Sequence, residues 1–316
     1  MRCLLIGNYG TGNLGDEALK EYFLTRFPEV EWTVLSASPS ASNEVPRLPL
    51  GPRSLFTPWW RTVRALRASD AVVFGGGSLF TDVESVFACF LWWWHAFVAR
   101  LCGKPVLLAF QGVGPFRSRV GERLARGVIS RAAFVSVRDS VSAERVRGWV
   151  DDRMNAVESF DPVFSVFDHQ AGASSGNILG VIPRANSGQD FAGRVMEHVK
   201  HHDRSQTIRI VSMHPDSRDE QRVCLALVAA INAGAQILPV RSLGELAEAL
   251  RGCAHVITAR YHGGLAALAM SIPFDAVAQH PGDKLETLSS APGADALREK
   301  LSHGERELLK SLNMVK

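Results

Sequence analysis

Arg260 and His262 stand two residues apart in Arg260-Tyr261-His262-Gly263-Gly264, a fixed cation beside a group that changes charge near neutral pH. A guanidinium forks onto a carboxylate or phosphate and an imidazole carries a proton. Together they suit transfer chemistry on an anionic small molecule. The bland alternative is a solvated loop end in which His262 only caps a helix. The glycine pair weighs against it, because glycines let another molecule approach the backbone. Arg138 offers a second cation. It directly follows the apolar run Phe134-Val135-Ser136-Val137, and Asp139 after it either caps a helix or forms a local ion pair with it.

What must position these groups is a set of strands and helices. His255-Val256-Ile257-Thr258 reads as a buried strand and Leu265–Met270 as a helix, so Arg260 and His262 fall where a strand hands over to a helix. In an open α/β sheet that edge binds ligands, and helix N-terminal amides there can hold anions. The first half alternates in the same way. Strands are expected at Cys3–Ile6, Glu31–Leu35, Ala71–Phe74, Pro105–Phe110 and Phe134–Val137, with helices from about Asp16 to Phe27, at Arg61–Ala68, at Arg119–Ala132 and at Val141–Val150. Ser36–Pro58 reads as a long loop. Continuous apolar strands alternating with helices predict a parallel sheet covered on both faces. Asp168–Ser175 is small and polar, the best linker candidate. A second α/β set follows, with strands at Asn177–Ile182, Thr207–Met213, Ala235–Leu238 and His255–Thr258. The expected architecture is α/β with two Rossmann-like domains facing a cleft: residues 1–168, residues 176–296, and a terminal helix at 297–316 that packs back on the first.

Three glycine-rich stretches end strands of the first half. Gly10-Thr11-Gly12-Asn13-Leu14-Gly15 matches GxGxxG, but the second strand ends Val34-Leu35-Ser36-Ala37 without the acid a dinucleotide ribose needs. Asp16 and Glu17 at the helix start would also compete with a pyrophosphate. A nicotinamide site is therefore disfavoured. Asp16 reads as an N-cap, or else Asn13, Asp16 or Glu17 hydrogen-bonds sugar hydroxyls. Gly75-Gly76-Gly77 and Gly112-Val113-Gly114 end strands on the same edge and, with Gly10, would line a cleft floor with backbone. Close packing of strand against helix is the competing explanation.

The 316 residues carry 46% hydrophobic and 21% charged side chains, with net charge +3. That is ordinary globular composition, and no Lys/Arg run of the nucleic-acid type occurs. Cys3, Cys89, Cys102, Cys224 and Cys253 show no metal-ligand spacing and read as reduced thiols. No signal peptide precedes the first strand, so a cytoplasmic location is expected, including the inner face of a membrane. Val86–Leu101 holds Phe87, Phe90, Trp92, Trp93, Trp94 and Phe97 but is too short to span a bilayer, and His95 and Arg100 interrupt it. It reads as a buried core helix first, and second as a Trp-rich face making peripheral membrane contact, which would suit a lipid-linked substrate. His198, His201 and His202 sit in a solvated Lys/His/Asp run, so no metal site is expected.

Taken in order, Gly7-Asn8-Tyr9-Gly10, Asn13-Leu14-Gly15-Asp16-Glu17-Ala18, Gly75-Gly76-Gly77-Ser78, Gly112-Val113-Gly114-Pro115, Val137-Arg138-Asp139, Asp161-Pro162, Arg260-Tyr261-His262 and Lys284 resemble the polysaccharide pyruvyl transferase family across most of the chain. The resemblance implies a GT-B-like fold and transfer of the enolpyruvyl unit of phosphoenolpyruvate onto a sugar of a cell-surface polysaccharide or its precursor, giving a pyruvate ketal. It further implies that His262 is the general acid and that Arg138, Arg260 and Lys284 hold phosphoenolpyruvate. Gly10, Asn13, Asp16, Glu17, Gly76, Gly77 and Gly112 then belong to acceptor or cleft loops, the acceptor being lipid-linked or nucleotide-linked. No cofactor is implied beyond the donor, and no step demands a metal. The Tyr-His-Gly-Gly context departs from the commoner Leu-His-Ala-Leu type. A GT-B glycosyltransferase using a nucleotide sugar and a non-catalytic binding protein of the same fold are the competing readings. The acceptor sugar and the oligomeric state are not written in the sequence.

Overall fold

The computed structural model describes residues 1–83, 85–150, 156–168, 176–201, 207–231, 234–279 and 284–315. The chain divides into two compact units, Met1–Pro162 with Asp295–Lys316, and Val163–Ala294. The linker expected at Asp168–Ser175 falls, after Asp168, outside the described residues.

In the first unit the chain order is β1 (Arg2–Ile6), α1 (Leu14–Arg26), β2 (Glu31–Ser36), β3 (Glu44–Pro46), a short 3-10 helix (Pro52–Phe56), α2 (Trp60–Ala68), β4 (Ala71–Phe80), α3 (Val86–Leu101), β5 (Val106–Val113), α4 (Arg119–Ile129), β6 (Phe134–Val137), α5 (Ser140–Arg147) and β7 (Val157–Glu158). The seven strands pair in the order β3-β2-β1-β4-β5-β6-β7, all parallel. The strand order reverses between β1 and β4, which opens a crevice at their carboxyl ends. Leu4, Ile6, Val72, Phe74, Val106 and Leu108 meet α2, α3 and α4 on one face. On the other, Phe23 of α1 packs on Phe110, Phe27 and Trp32.

Two expectations are corrected in this unit. The 36–58 stretch is not only loop, since β3 extends the sheet and the 3-10 helix precedes α2. Gly75, Gly76, Gly77 and Gly112 do not end β4 and β5 but lie inside them, and Gly114 directly follows β5. Pairing runs from Val72↔Val106 past Gly77↔Gln111 to Phe80↔Val113, with a register shift after Gly77. Gly76 and Gly77 have φ of +80° and +82°, a left-handed conformation that a side chain would strain.

The second unit comprises α6 (Phe164–Asp168), β8 (Ile178–Ile182), α7 (Gln189–His201), β9 (Thr207–Ser212), α8 (Arg218–Ile231), β10 (Gln236–Pro239), α9 (Leu243–Leu250), β11 (Cys253–Thr258), α10 (Tyr261–Ala269), β12 (Phe274–Ala276) and α11 (Leu285–Ser289). The parallel order is β10-β9-β8-β11-β12, so this sheet reverses between β8 and β11. The division at Pro162/Val163 gives α6 to this unit, six residues earlier than read from sequence, and α6 packs on α9 and α10. The final helix, α12 (Ala294–Met314), belongs to the first unit from Asp295 onward.

Candidate functional site

Arg260 lies at the second unit's strand-order reversal, as the N-cap of α10. Thr258 stitches the turn. Its hydroxyl accepts from the Arg260 amide at 2.9 Å and donates to the Arg260 carbonyl at 3.0 Å. The guanidinium Nε donates to Pro183 O at 3.2 Å, and one terminal nitrogen donates to Glu220 Oε2. Glu220 is wholly buried on α8, where it also accepts from Ser212 Oγ at 3.0 Å and His214 N at 2.7 Å. A buried carboxylate thus orients the arginine and neutralises part of its charge.

Around this pair opens a cavity of about 650 Å³ lined by Arg184, Asn186, His214, Ser217, Arg222 and Arg260 among others. Arg184 follows β8 and His214 follows β9, so side chains from three adjacent strand ends converge on one space, beside the N-terminus of α10. Burial, and then the Arg260 charge, holds the His214 imidazole below its ordinary pKa, while Glu220 opposes them. An anion entering here meets Arg184 and Arg260, while Arg222 on the same lining is already paired with Asp219 at 2.9 Å. Arg184, His214 and Arg222 were missed in the sequence. For Arg184 and His214 the same strand-end position that singled out Arg260 would have named them.

His262, the second residue of α10, is half-buried and stands edge-on to Tyr261 with ring centroids 5.4 Å apart. The Lys284 ammonium sits over the Tyr261 ring at 4.9 Å. Arg260, Tyr261, His262 and Lys284 therefore gather at one helix end, although the cavity lining proper includes neither His262 nor Lys284. The Gly263-Gly264 pair does not open the backbone to a ligand. A Cβ on Gly263 would fall 2.6 Å from Ile182 Cδ1 and Thr258 Oγ1, and one on Gly264 would fall 3.0 Å from Leu288 Cδ1. These glycines let α10 lie close on β8, β11 and α11.

In the first unit Asn13, not Asp16, caps α1, its Oδ1 accepting from Gly15 N at 3.0 Å. Asp16 instead accepts from Asn8 Nδ2 at 3.0 Å, and Asn8 Oδ1 accepts from Arg47 at 3.0 Å. Arg47, another residue the sequence did not flag, lies over the Trp92 ring. Glu17 is committed to the loop, accepting from Gly10 N at 2.7 Å and pairing with Lys20. Gly77 brings β4 against Asp16, whose Oδ1 would stand 3.4 Å from a Cβ there. Asn8, Asp16 and Gly77 therefore meet at the β1/β4 reversal.

The other glycines read as a cleft floor are filled by packing. A Cβ at Gly75 would meet the Tyr9 hydroxyl, at Gly76 the Leu19 methyls, at Gly112 the Arg138 guanidinium and at Gly10 Ser36 Oγ. Arg138 is 4% exposed. It donates to Asp161 Oδ2 and to Ser78 Oγ, each at 2.8 Å, with Asp139 Oδ2 at 3.7 Å. Asp139 serves mainly as the cap of α5, accepting from Ser142 N at 2.7 Å.

His198 is not on a solvated face. It stacks on His255 at 4.7 Å, and these two rings and Asp275 bring ligand atoms within 4.8 Å of one another. Arg194 already occupies that carboxylate at 3.0 Å, so the second unit supplies the Asp275 counterion itself. His201 ends α7, and His202 lies outside the described residues.

Two parallel sheets, each reversing its strand order at a loop-built site, define a GT-B-like α/β protein, and known structures agree. HepE of Anabaena, crystallised with UDP and glucose, superposes with a TM-score of 0.60 at 12% identity over 99% of this chain and all of that one. The UDP-N-acetylglucosamine 2-epimerase of Rickettsia bellii gives 0.60 at 10% identity over 99% and 96%. Identities this low establish the fold alone. The family comes from sequence: the model of the polysaccharide pyruvyl transferases matches residues 13–281, and the chain belongs to that family. It is also 30% identical over 114 residues to the amylovoran biosynthesis protein AmsJ of Erwinia amylovora, a stretch covering 36% of this chain and 26% of AmsJ. Among the described residues no helix is long and apolar enough to cross a membrane.

Proposed function

We propose that the chain transfers the enolpyruvyl unit of phosphoenolpyruvate onto two hydroxyls of a sugar in a polysaccharide precursor, forming a ketal. The observation that carries this reading is the cavity at the β8/β11 reversal, where Arg184 and Arg260 face one space and Arg222 is paired with Asp219 beside them. Phosphoenolpyruvate has a carboxylate and a phosphate, and arginine forks match both.

His262, two residues from Arg260, protonates the methylene carbon of the donor, leaving an oxocarbenium-like centre at C2. One sugar hydroxyl adds to C2 and phosphate departs with the C2–O bond pair. The second hydroxyl then closes the ketal. Of the two hydroxyl protons, one balances the proton now in the methyl group and the other leaves on phosphate. Anions bound beside His262 favour its charged, proton-donating form. Lys284 enters as a cation beside the acid, whereas Arg138 is buried against Asp161 and Ser78 within the first unit.

The expected result is phosphate release from phosphoenolpyruvate only when acceptor sugar is present, with a mass gain on the acceptor. His262→Ala should reduce the rate by about 10²–10⁴-fold, the usual worth of a general acid. Near-full activity in that variant would remove the assignment. HepE was crystallised with UDP and glucose, which favours a second reading in which the arginines hold the diphosphate of a nucleotide sugar. Calorimetry decides: saturable binding of UDP-sugars without binding of phosphoenolpyruvate selects the second reading.

A further inference from the structure

The outward side of the α2–α3–α4 layer is both apolar and strongly basic. The inner sides of these helices, through Leu66, Trp92, Ala96, Ala125 and Val128, cover one face of the seven-stranded sheet, so their opposite sides share one surface. On α3 that surface shows Phe90, Phe97 and Leu101, with Phe87 at the helix start 58% exposed. Phe90, Trp93 and Phe97 stack in a row at 5.6 and 5.2 Å. The 3-10 helix and the start of α2 add Leu55, Phe56 at 92% exposed, and Trp60. The sequence alone reads α3 as a buried core helix. Only one side of it is buried, by Cys89, Trp92, His95, Ala96 and Ala99.

Cations frame this apolar strip at helical spacing. Arg64 and Arg67 follow Trp60 on α2, with Arg64 over the Trp60 ring, and Arg119, Arg123 and Arg126 line the exposed side of α4. Residues 51–68, 86–104 and 117–131 together hold eleven Lys/Arg and one Glu, a net +10 in a chain whose total is +3. The rest of the protein is accordingly net acidic.

We propose that this face docks the first unit on an anionic lipid bilayer, the aromatic side chains entering the headgroup boundary and the arginines meeting lipid phosphates. The charge selects the occupant. A second copy of the chain would bring the exposed Arg64, Arg67, Arg119, Arg123 and Arg126 against like charges, whereas an anionic leaflet attracts them. A nucleic acid would complement the charge but leave Phe56, Phe87 and Leu101 in water. An apolar strip of stacked rings edged by arginine is the composition of an interfacial helix surface. The inference concerns the surface alone and stands whatever reaction the protein catalyses.

The test is co-sedimentation of the full chain with phosphatidylcholine vesicles, with and without phosphatidylglycerol, at low and high salt. Partition into the phosphatidylglycerol vesicles is expected, weakened by salt and accompanied by a blue shift of tryptophan emission. Phe56→Glu with Phe87→Glu, and separately Arg64→Glu with Arg123→Glu, should each reduce partition, about fivefold or more for each arginine lost. Both pairs are surface positions, and an unchanged melting temperature confirms that the fold is intact. The proposal is overturned if neither vesicle binds, or if both variants partition as the parent does. A dimer dissociated by Phe56→Glu overturns it, as does binding to duplex DNA that is indifferent to the aromatic pair.

Discussion

Glu220 carries a carboxylate with no solvent exposure, and Arg260 is its counterion. That pairing makes Glu220, although it also borders the cavity, a positioning residue that acts through Arg260. Glu220→Gln keeps the shape and the acceptor oxygen but removes the charge that fixes the guanidinium. Losing one charge-assisted hydrogen bond of about 1.5 kcal/mol should raise KM for phosphoenolpyruvate about tenfold with little change in kcat. A purely structural role would instead lower the melting temperature and scale both parameters together. Glu220 and Arg260 are forty residues apart, and no local pattern announces such a pair. The sequence named Arg260 because a strand end followed by a helix is legible. It did not name Arg184 and His214, although both also follow parallel strands. Which way a loop side chain points is decided by the neighbouring strand, and strand order is not in the local sequence.

The alternation of apolar runs and helices in residues 1–150 was legible as a parallel sheet, because strands buried on both faces cannot hide their hydrophobicity. The short elements β3, β7 and β12 were not, since two or three residues carry no period. The glycines were legible as special and misread in purpose: at Gly75, Gly76 and Gly112 the space belongs to Tyr9, Leu19 and Arg138. In α3 the sequence showed the aromatic content but not which side faces inward. His95 reports on that inner side. Its Nε2 accepts from Leu48 N at 3.0 Å and its Nδ1–H donates to Leu91 O at 2.8 Å, so both nitrogens are used by the neutral ring. Burial pushes its pKa down to about 4. The unfolded chain takes up this proton near pH 6.5 and the native one only near pH 4, so stability falls as pH drops through that window. The loss should approach about 3 kcal/mol by pH 4. Chemical denaturation across the window measures it, and His95→Gln, which titrates nothing, should flatten that part of the curve. An equally steep curve in the variant would place the acid sensitivity elsewhere.

The chain leaves the first unit at Pro162, builds the second through Ala294, and returns with α12 to finish the first. Leu297, Leu301, Leu308 and Leu312 of that helix are buried, Glu305 accepts from Tyr22 at 2.5 Å and pairs with Arg26 at 2.7 Å, and Ser159 donates to Lys300 O. Four buried leucines at about 1.5–3 kcal/mol each amount to roughly 6–12 kcal/mol, the size of a whole domain's stability. Ending the chain at Ala294 should therefore unfold residues 1–162 while the second unit, which keeps its own core, stays folded. Hydrogen exchange resolves the two, with protection lost in peptides from β1–β7 and kept in those from β8–β11. Gly304 provides a milder probe of the same contact. In an isolated helix Gly→Ala gains about 1 kcal/mol. Here the new Cβ would lie 2.2 Å from Ser159 Oγ and 3.0 Å from Phe110, and overpacking costs about 1–3 kcal/mol. Gly304→Ala is thus expected to lower the stability of the first unit, and an increase would mean that α12 does not seat against β5 and the segment after β7 as described.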